Sequence, residues 1–302
     1  VQLGTRTPDQ AEAIATAREN ERYLPGVRLP EAIEVRPSSQ IELAGIDLVC
    51  LAVPSASYPQ AVGALSDRIG RRAAILLLAK GLIAPKGQLP SEYVTERIKT
   101  RGISCLGGPA HAREAVSGSA ALVLGTSDED LKAQLGNVFD KAGLVCERSG
   151  DVIGVEMAGA AKNAAVLAAA AAEPHGLNAA GIAAAGVWRE CVQYAVMQGA
   201  ELDTFNGLAG VGDLLATVMA EGSRNRRAGE LLGRDTPPDQ VRREIGQASE
   251  ALDSVPQIAA TVAASGCPAE SLQGLADLAT GRIGSEEWVA ALRRVGHKRR
   301  AA

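Results

Sequence analysis

Lys162 is the residue whose setting most suggests chemistry. It lies, with Asn163 beside it, in the stretch 150–173 (GDVIGVEMAGAAKNAAVLAAAAAE), whose second half is apolar on every helical face and so predicts a buried helix. A buried ammonium is costly unless it is hydrogen-bonded or paired, and burial lowers its pKa toward the range of a proton donor or acceptor. The other reading is a lysine whose head reaches back to water. Taken as an unpaired buried charge, its removal should cost little stability. Lys80 closes an apolar run and precedes Gly81, so it either points into a crevice or stands solvated in a loop. Further on, in 207–229 (GLAGVGDLLATVMAEGSRNRRAG), Asp213 sits where a turn enters a helix and Thr217 follows one turn later on the same face. Ser223-Arg224-Asn225-Arg226-Arg227, behind Gly222, gathers three cations with amide and hydroxyl donors, a set suited to phosphate. Cations at a helix start oppose its dipole and call for an anion, although a basic solvated helix face would look the same.

The elements that must position these residues fall into two parts. Val1-Gln2-Leu3 reads as the end of a strand, and Pro8 opens a helix predicted to reach about Arg22. Residues 23–37, with Pro25, Gly26, Pro30 and Pro37, read as a loop. Strands are predicted at 47–53, 73–79, 103–106, 120–124 and 144–147. Their consecutive apolar positions, with helices between, point to a parallel sheet covered on both faces. After Gly150 the strand pattern stops. The remainder reads as helices, among them one near 182–198 and one after Pro237. The expected organisation is an α/β, Rossmann-like parallel-sheet domain over 1–150 and an all-α domain over 151–302.

Composition narrows the function classes. The chain has 302 residues, enough for two domains, and a formal charge of -4, which gives no footprint for nucleic acid. The basic tail 293–300 (RRVGHKRR) reads as a frayed, solvated terminus. Five scattered cysteines without a CxxC read as buried thiols in a reducing compartment, and three histidines count against a His-based metal centre. No signal peptide or membrane span is read from the sequence, so the expected location is cytoplasmic.

In an open parallel sheet, ligands bind beyond the carboxyl ends of the strands. Those places hold Thr5-Arg6, Pro54-Ser55, Lys80-Gly81 and Gly108-Pro109. A dinucleotide fold often carries an acid after its second strand to hold the ribose hydroxyls, whereas Arg6 stands there and favours a 2′-phosphate, hence NADP(H) ahead of NAD(H). An ordinary surface arginine is the alternative.

Lys80-Gly81, Gly108-Pro109, Gly159-Ala160-Ala161-Lys162-Asn163, Gly212-Asp213 and Ser223-Arg224-Asn225-Arg226-Arg227, in this order and spacing, resemble the bacterial-type NAD(P)-dependent glycerol-3-phosphate dehydrogenases over essentially the whole chain. The resemblance implies reversible hydride transfer that reduces dihydroxyacetone phosphate to sn-glycerol 3-phosphate for phospholipid synthesis. Lys162 would be the catalytic proton acceptor and donor. Lys80, Gly108, Lys162, Asp213, Ser223, Arg224 and Asn225 would contact substrate, and Arg6, Lys80, Ala112, Arg224 and Glu250 would contact the cofactor. It implies a small-molecule substrate, no nucleic acid and no membrane span, and it allows a homodimer. The family opens on a strand and a Gly-rich turn that do not precede Val1, so the nucleotide domain is expected to be N-terminally incomplete, with unpaired strand edges. Ala110, Ala180 and Gly181 depart from family positions that bear hydroxyl or guanidinium groups. Two other readings therefore stay open: a dehydrogenase of a related small hydroxy substrate, and a catalytically silent binding protein.

Overall fold

The computed structural model describes residues 1–298. Nine strands fill the first half of the described chain, and helices fill the second. The chain opens on β1 (Gln2–Thr5), and Thr7 caps α1 (Pro8–Ala17) by accepting from the Gln10 amide. This helix stops short of the expected Arg22 because Arg18 turns into the left-handed region at φ 54. β2 (Glu19–Asn20), inside the span expected to be helical, pairs as a hairpin with β3 (Leu24–Arg28) in the segment read as a loop, and β4 (Glu34–Pro37) then pairs in parallel with β1. Pro25, Gly26 and Pro37 masked β3 and β4; Pro is tolerated in strands at edges and ends.

Five strands make the larger sheet, in the order β5 (Leu48–Leu51), β6 (Ala74–Leu77), β7 (Gly102–Gly107), β8 (Ala121–Gly125) and β9 (Val145–Ser149). The smaller β1–β4 pair is a separate sheet, so β1 and β5 each have one strand partner. All neighbours in the larger sheet are parallel except β7 and β8, which run antiparallel. The sheet is mainly parallel, as expected, with one antiparallel pair. The only helix between β7 and β8 is the five-residue α4 (Ala112–Val116), about 7.5 Å long, too short to carry the chain back along the sheet for a parallel return. The chain instead turns at Gly108, and Ala121 N–H bonds back to Pro109 O at 3.1 Å. The helices packed around this half include α2 (Tyr58–Leu65), α3 (Pro90–Arg97) and α5 (Glu129–Lys141).

The Ala-rich stretch forms α6 (Val152–Ala172), buried at every position but Val152, Ile153 and Ala169. Asp151 starts it: Oδ1 accepts from the Gly154 amide at 2.7 Å, while Oδ2 takes the Glu201 N–H and the Thr204 hydroxyl. Around α6 stand α7 (Leu177–Met197), which starts earlier than the sequence suggests, α8 (Leu202–Asn206), α9 (Asp213–Met219), α10 (Arg224–Leu232) and α12 (Glu250–Ala264), with α11 (Pro238–Ile245) packed on α10. Beyond them lie α13 (Glu270–Ala279) and α14 (Ser285–Lys298). The basic tail read as frayed is helical as far as Lys298; Arg299 and Arg300 lie outside the described residues. Small residues bring α10 against α6: a Cβ on Gly229 would stand 2.5 Å from Leu167 O, and one on Gly233 2.4 Å from Ala171 O.

Among the described residues, one helix, Val152–His175, is long and apolar enough to cross a membrane by length and composition. Its apolar window is 83% buried within the protein, as a core helix would be. The cysteines are unpaired, but only Cys105 and Cys191 are buried; Cys50 is exposed and Cys146 and Cys267 are half-buried. The expectation of uniformly buried thiols is corrected accordingly.

Candidate active site

Three parallel strands deliver their carboxyl ends to one edge of the sheet. Beyond β5 comes Ser55, beyond β6 Lys80, and beyond β7 Gly108. Helix α6 runs past this edge and brings Lys162. Gly159, one turn earlier, leaves room for the Lys80 stem, since a Cβ there would stand 3.1 Å from Lys80 Cγ. The opposite wall is α9, entered through a π-helical turn at Leu208–Gly212 in which Gly212 N–H bonds to Gly207 O at 3.1 Å. Gly210 permits that turn, because a Cβ would fall 2.0 Å from Phe205 O. Asp213 and Thr217 follow, one turn apart and both buried.

The charged groups meet at Asp213, which is 1% exposed. Lys80 Nζ lies 2.7 Å from Oδ2 and also donates to Gly108 O at 3.0 Å. Lys162 Nζ lies 3.3 Å from Oδ1 and donates to Thr217 Oγ1 at 3.0 Å, while Thr217 donates onward to Asp213 Oδ1 at 3.2 Å. Lys162 is therefore neither solvated nor unpaired, and the assumption of an unpaired charge is corrected. Burial, followed by the neighbouring Lys80 ammonium, lowers the Lys162 pKa to about 8 against the opposing pull of Asp213. An ammonium so tuned can hold or release a proton near neutral pH.

A second set of bonds ties the elements together. Glu250, at the start of α12, accepts from Ser55 N–H at 3.2 Å and from Lys80 N–H at 3.2 Å, joining the ends of β5 and β6 to the helical half. Asn163 donates to Lys80 O at 3.0 Å and accepts from Asn225 Nδ2 at 2.8 Å. Arg224 is exposed and donates to Ala248 O at 2.9 Å. Ser223 caps α10, its Oγ accepting from Arg226 N–H at 3.2 Å.

The structure thus brings Lys80, Gly108, Lys162, Asp213, Asn225, Arg224 and Glu250 into one connected region. It does not gather all three arginines as a phosphate cradle. Arg226 donates to Val218 O and to Glu230, and Arg227 pairs with Glu230 one turn along the same helix. Arg6 is exposed at the end of β1 and Ala112 is exposed at the start of α4; neither takes part in these hydrogen bonds. The sequence reading assigned no role to Thr217, Asn163 or Ser249. The i to i+4 spacing of Asp213 and Thr217 was the available signal for the first, and adjacency to Lys162 for the second. Nothing in the sequence marked Ser249.

A nicotinamide dinucleotide, which the Rossmann-like half implies, fits the donor set here. Arg6, just beyond β1, and Arg224, at the start of α10, are exposed guanidinium groups of the kind that pair with phosphate. Gly81, Gly108, Ala110 and Ala112 leave the strand ends free of bulky side chains, and Lys80 is partly open to solvent.

Comparisons with known proteins give the family of the chain. Residues 1–132 match the family model for the NAD-dependent glycerol-3-phosphate dehydrogenase N-terminus, and 151–289 match that for its C-terminus. The glycerol-3-phosphate dehydrogenase [NAD(P)+] of Deinococcus radiodurans is 36% identical over 292 residues, 95% of this chain and 85% of that one. Its Fusobacterium nucleatum counterpart is 34% identical over 81% of this chain and 75% of its own. The crystal structure of glycerol-3-phosphate dehydrogenase from Coxiella burnetii shares the fold, with a TM-score of 0.88 at 24% identity over 97% of this chain and 90% of that one. The chain belongs to the NAD-dependent glycerol-3-phosphate dehydrogenase family.

Proposed function

We propose that this chain reduces dihydroxyacetone phosphate to sn-glycerol 3-phosphate with NADPH, or with NADH, reversibly, and so supplies glycerophospholipid synthesis. The observation that carries the reading is the buried Lys162 ammonium, held by Thr217 and Asp213 beside Lys80 at the carboxyl ends of the strands. The dihydronicotinamide, when bound, supplies the hydride that reaches C2 of the substrate. Lys162 gives its Nζ proton to the C2 oxygen, so the new alcohol leaves neutral and the lysine is left as an amine held by Thr217. In the reverse direction the amine takes that proton back. Lys80 steadies Asp213, and with Gly108 it borders the place where the carbonyl sits. Arg224 and Asn225, with Ser223, take the phosphate end. On the cofactor side, Arg6 reads the 2′-phosphate, and Ala112, Lys80, Arg224 and Glu250 line the dinucleotide. Residues 1–150 are taken as the nucleotide-binding domain and 151–302 as the substrate domain. We carry the cytoplasm as location and a homodimer as assembly; sedimentation equilibrium checks the latter.

The test is NADPH oxidation by the purified protein with dihydroxyacetone phosphate. Lys162→Ala is expected to lose about 10²- to 10⁴-fold in turnover, the usual weight of a positioned general acid. A variant that keeps a tenth of the rate removes Lys162 from that role. Arg6→Ala is expected to weaken NADPH more than NADH, and equal weakening would show that Arg6 does not read the 2′-phosphate.

A further inference from the structure

Helix α12 begins in an uncommon way. Ser249 stands at its N-cap, and a serine there ordinarily turns its oxygen onto an amide of its own first turn. The Ser249 side chain makes no such bond. Its hydroxyl donates instead to Oδ1 of Asn225 on α10, at 2.9 Å, and the same oxygen accepts the Ala251 N–H at 3.3 Å. Asn225 therefore caps α12 from outside, and Ser249 braces the cap. Ser249 is buried, so its hydroxyl has no ready exchange with water.

From this cap a chain of side-chain amides runs to Lys80, and its polarity is fixed at both ends by groups that cannot reverse. The Ala251 N–H only donates and the Lys80 carbonyl only accepts. With Oδ1 of Asn225 turned to its two donors, Nδ2 faces Asn163 and donates to its Oδ1 at 2.8 Å. The Nδ2 of Asn163 must then face Lys80 O, where it donates at 3.0 Å. Neither amide can flip without setting donor against donor or acceptor against acceptor, and each bond polarises the next. The relay crosses α12, α10, α6 and the end of β6, and it passes through the residue adjoining Lys162.

We propose that Ser249 is a positioning residue for the reaction. Its hydroxyl locks the Asn225 amide and, through Asn163, holds the Lys80 main chain and the Lys162 turn of α6 in register. The proposal rests on the roles of Lys80 and Lys162 in the proposed function, and Ser249 acts on them only through Asn225.

Two measurements test it. Ser249→Ala is expected to lower kcat/KM for dihydroxyacetone phosphate about five- to tenfold, the size of one hydrogen bond, and Ser249→Thr, which keeps the hydroxyl, to stay within about twofold. The melting temperature of Ser249→Ala should stay within about 2 °C, since Asn225 still caps α12. In an Asn163→Ala background the same substitution should cost less than about twofold, because the relay is already cut. Equal losses in both backgrounds, or no loss in the first, overturn the proposal. The second measurement needs no substrate and stands even should dihydroxyacetone phosphate prove the wrong one. With asparagine labelled by nitrogen-15, Ser249→Ala should shift the side-chain amide signals of both Asn225 and Asn163 in the free protein. An Asn163 signal that stays in place shows that the hydroxyl acts no further than its neighbour, and the relay fails.

Discussion

Lys162 makes a prediction whose sign can be worked out. Its pKa lies at about 8 rather than 10.5, chiefly because burial disfavours the ammonium. Reduction needs the proton on Nζ and oxidation needs it off. With substrate saturating, turnover in the reducing direction should therefore fall as pH rises through about 8, and turnover in the oxidising direction should rise there. An anionic phosphate bound near Lys80 would shift both limbs upward together. Profiles that are flat between pH 7 and 9, or that bend the same way in both directions, would exclude Lys162 as the titrating group. The linkage to stability has the same origin. The folded state binds this proton less tightly than the unfolded chain, so the cost of the buried charge is full below about pH 8 and is relieved as pH rises toward 10.5. Side-chain types and one-turn spacing singled out Lys162, Lys80 and Asp213 in the sequence as candidates, and the structure brings the three side chains together. The same spacing puts Arg226 and Arg227 four and three residues before Glu230, a pairing that the phosphate-cradle reading passed over; which face of this short basic helix meets the site depends on how tightly α10 packs on α6. That contact is set by Gly229 and Gly233 against the α6 backbone.

The strand ends and the start of α12 form a joint in which small changes should be felt. A Cβ on Gly81 would stand 2.1 Å from Ser254 Oγ and 2.8 Å from Ser55 Oγ, directly beside Lys80. The Ser254 hydroxyl is buried without a hydrogen-bond partner. Gly81→Ala should therefore push α12 off the strand ends and lower turnover at least about tenfold, with about 1–3 kcal/mol of stability lost to overpacking. Ser254→Ala removes a hydroxyl that satisfies nothing, so alone it should leave stability equal or slightly higher. Combined with Gly81→Ala it should restore much of the loss. Activity and denaturant midpoints of the three variants check this, and a double variant no better than Gly81→Ala alone would place the crowding elsewhere. At this scale the apolar runs revealed β5 to β9, and the sequence did not reveal the antiparallel turn of β8. Strand direction depends on the length of the connection, which composition does not encode until α4 is seen to be one short turn of helix. Strands β3 and β4 were hidden for another reason: Pro25, Gly26 and Pro37 carry the signature of loops, and their edge positions tolerate it; the two-residue β2 fell inside the span expected to be helical.

The change of pattern near residue 150 divides strands from helices, yet the apolar core does not stop there. One continuous cluster runs from Leu51, Ile75 and Leu77 on the strands, through Val155 and Leu167 on α6, to Leu252 and Trp288 in the last helices. Close approaches reinforce it: a Cβ on Gly125 of β8 would stand 3.2 Å from Val155 Cβ, and one on Gly87 2.0 Å from Thr261 Oγ1 on α12. Glu156 of α6 further takes the Ser91 N–H at the start of α3, at 3.0 Å. A helix buried on nearly every side cannot lose one half of its neighbours without exposing apolar surface in proportion to the area uncovered. The two halves should therefore unfold together despite their different make-up. The molecule offers a probe on each side. Trp188 and Trp288 lie in the helical half, and the buried Cys105 thiol lies on β7. Tryptophan fluorescence and labelling of the Cys105 thiol, read on its own peptide, should give coincident midpoints through urea, as a single cooperative transition requires. Thiol labelling that completes at clearly lower urea than the fluorescence change would mean that the sheet opens while α6 stays packed among the helices. The core would then divide where the secondary structure does.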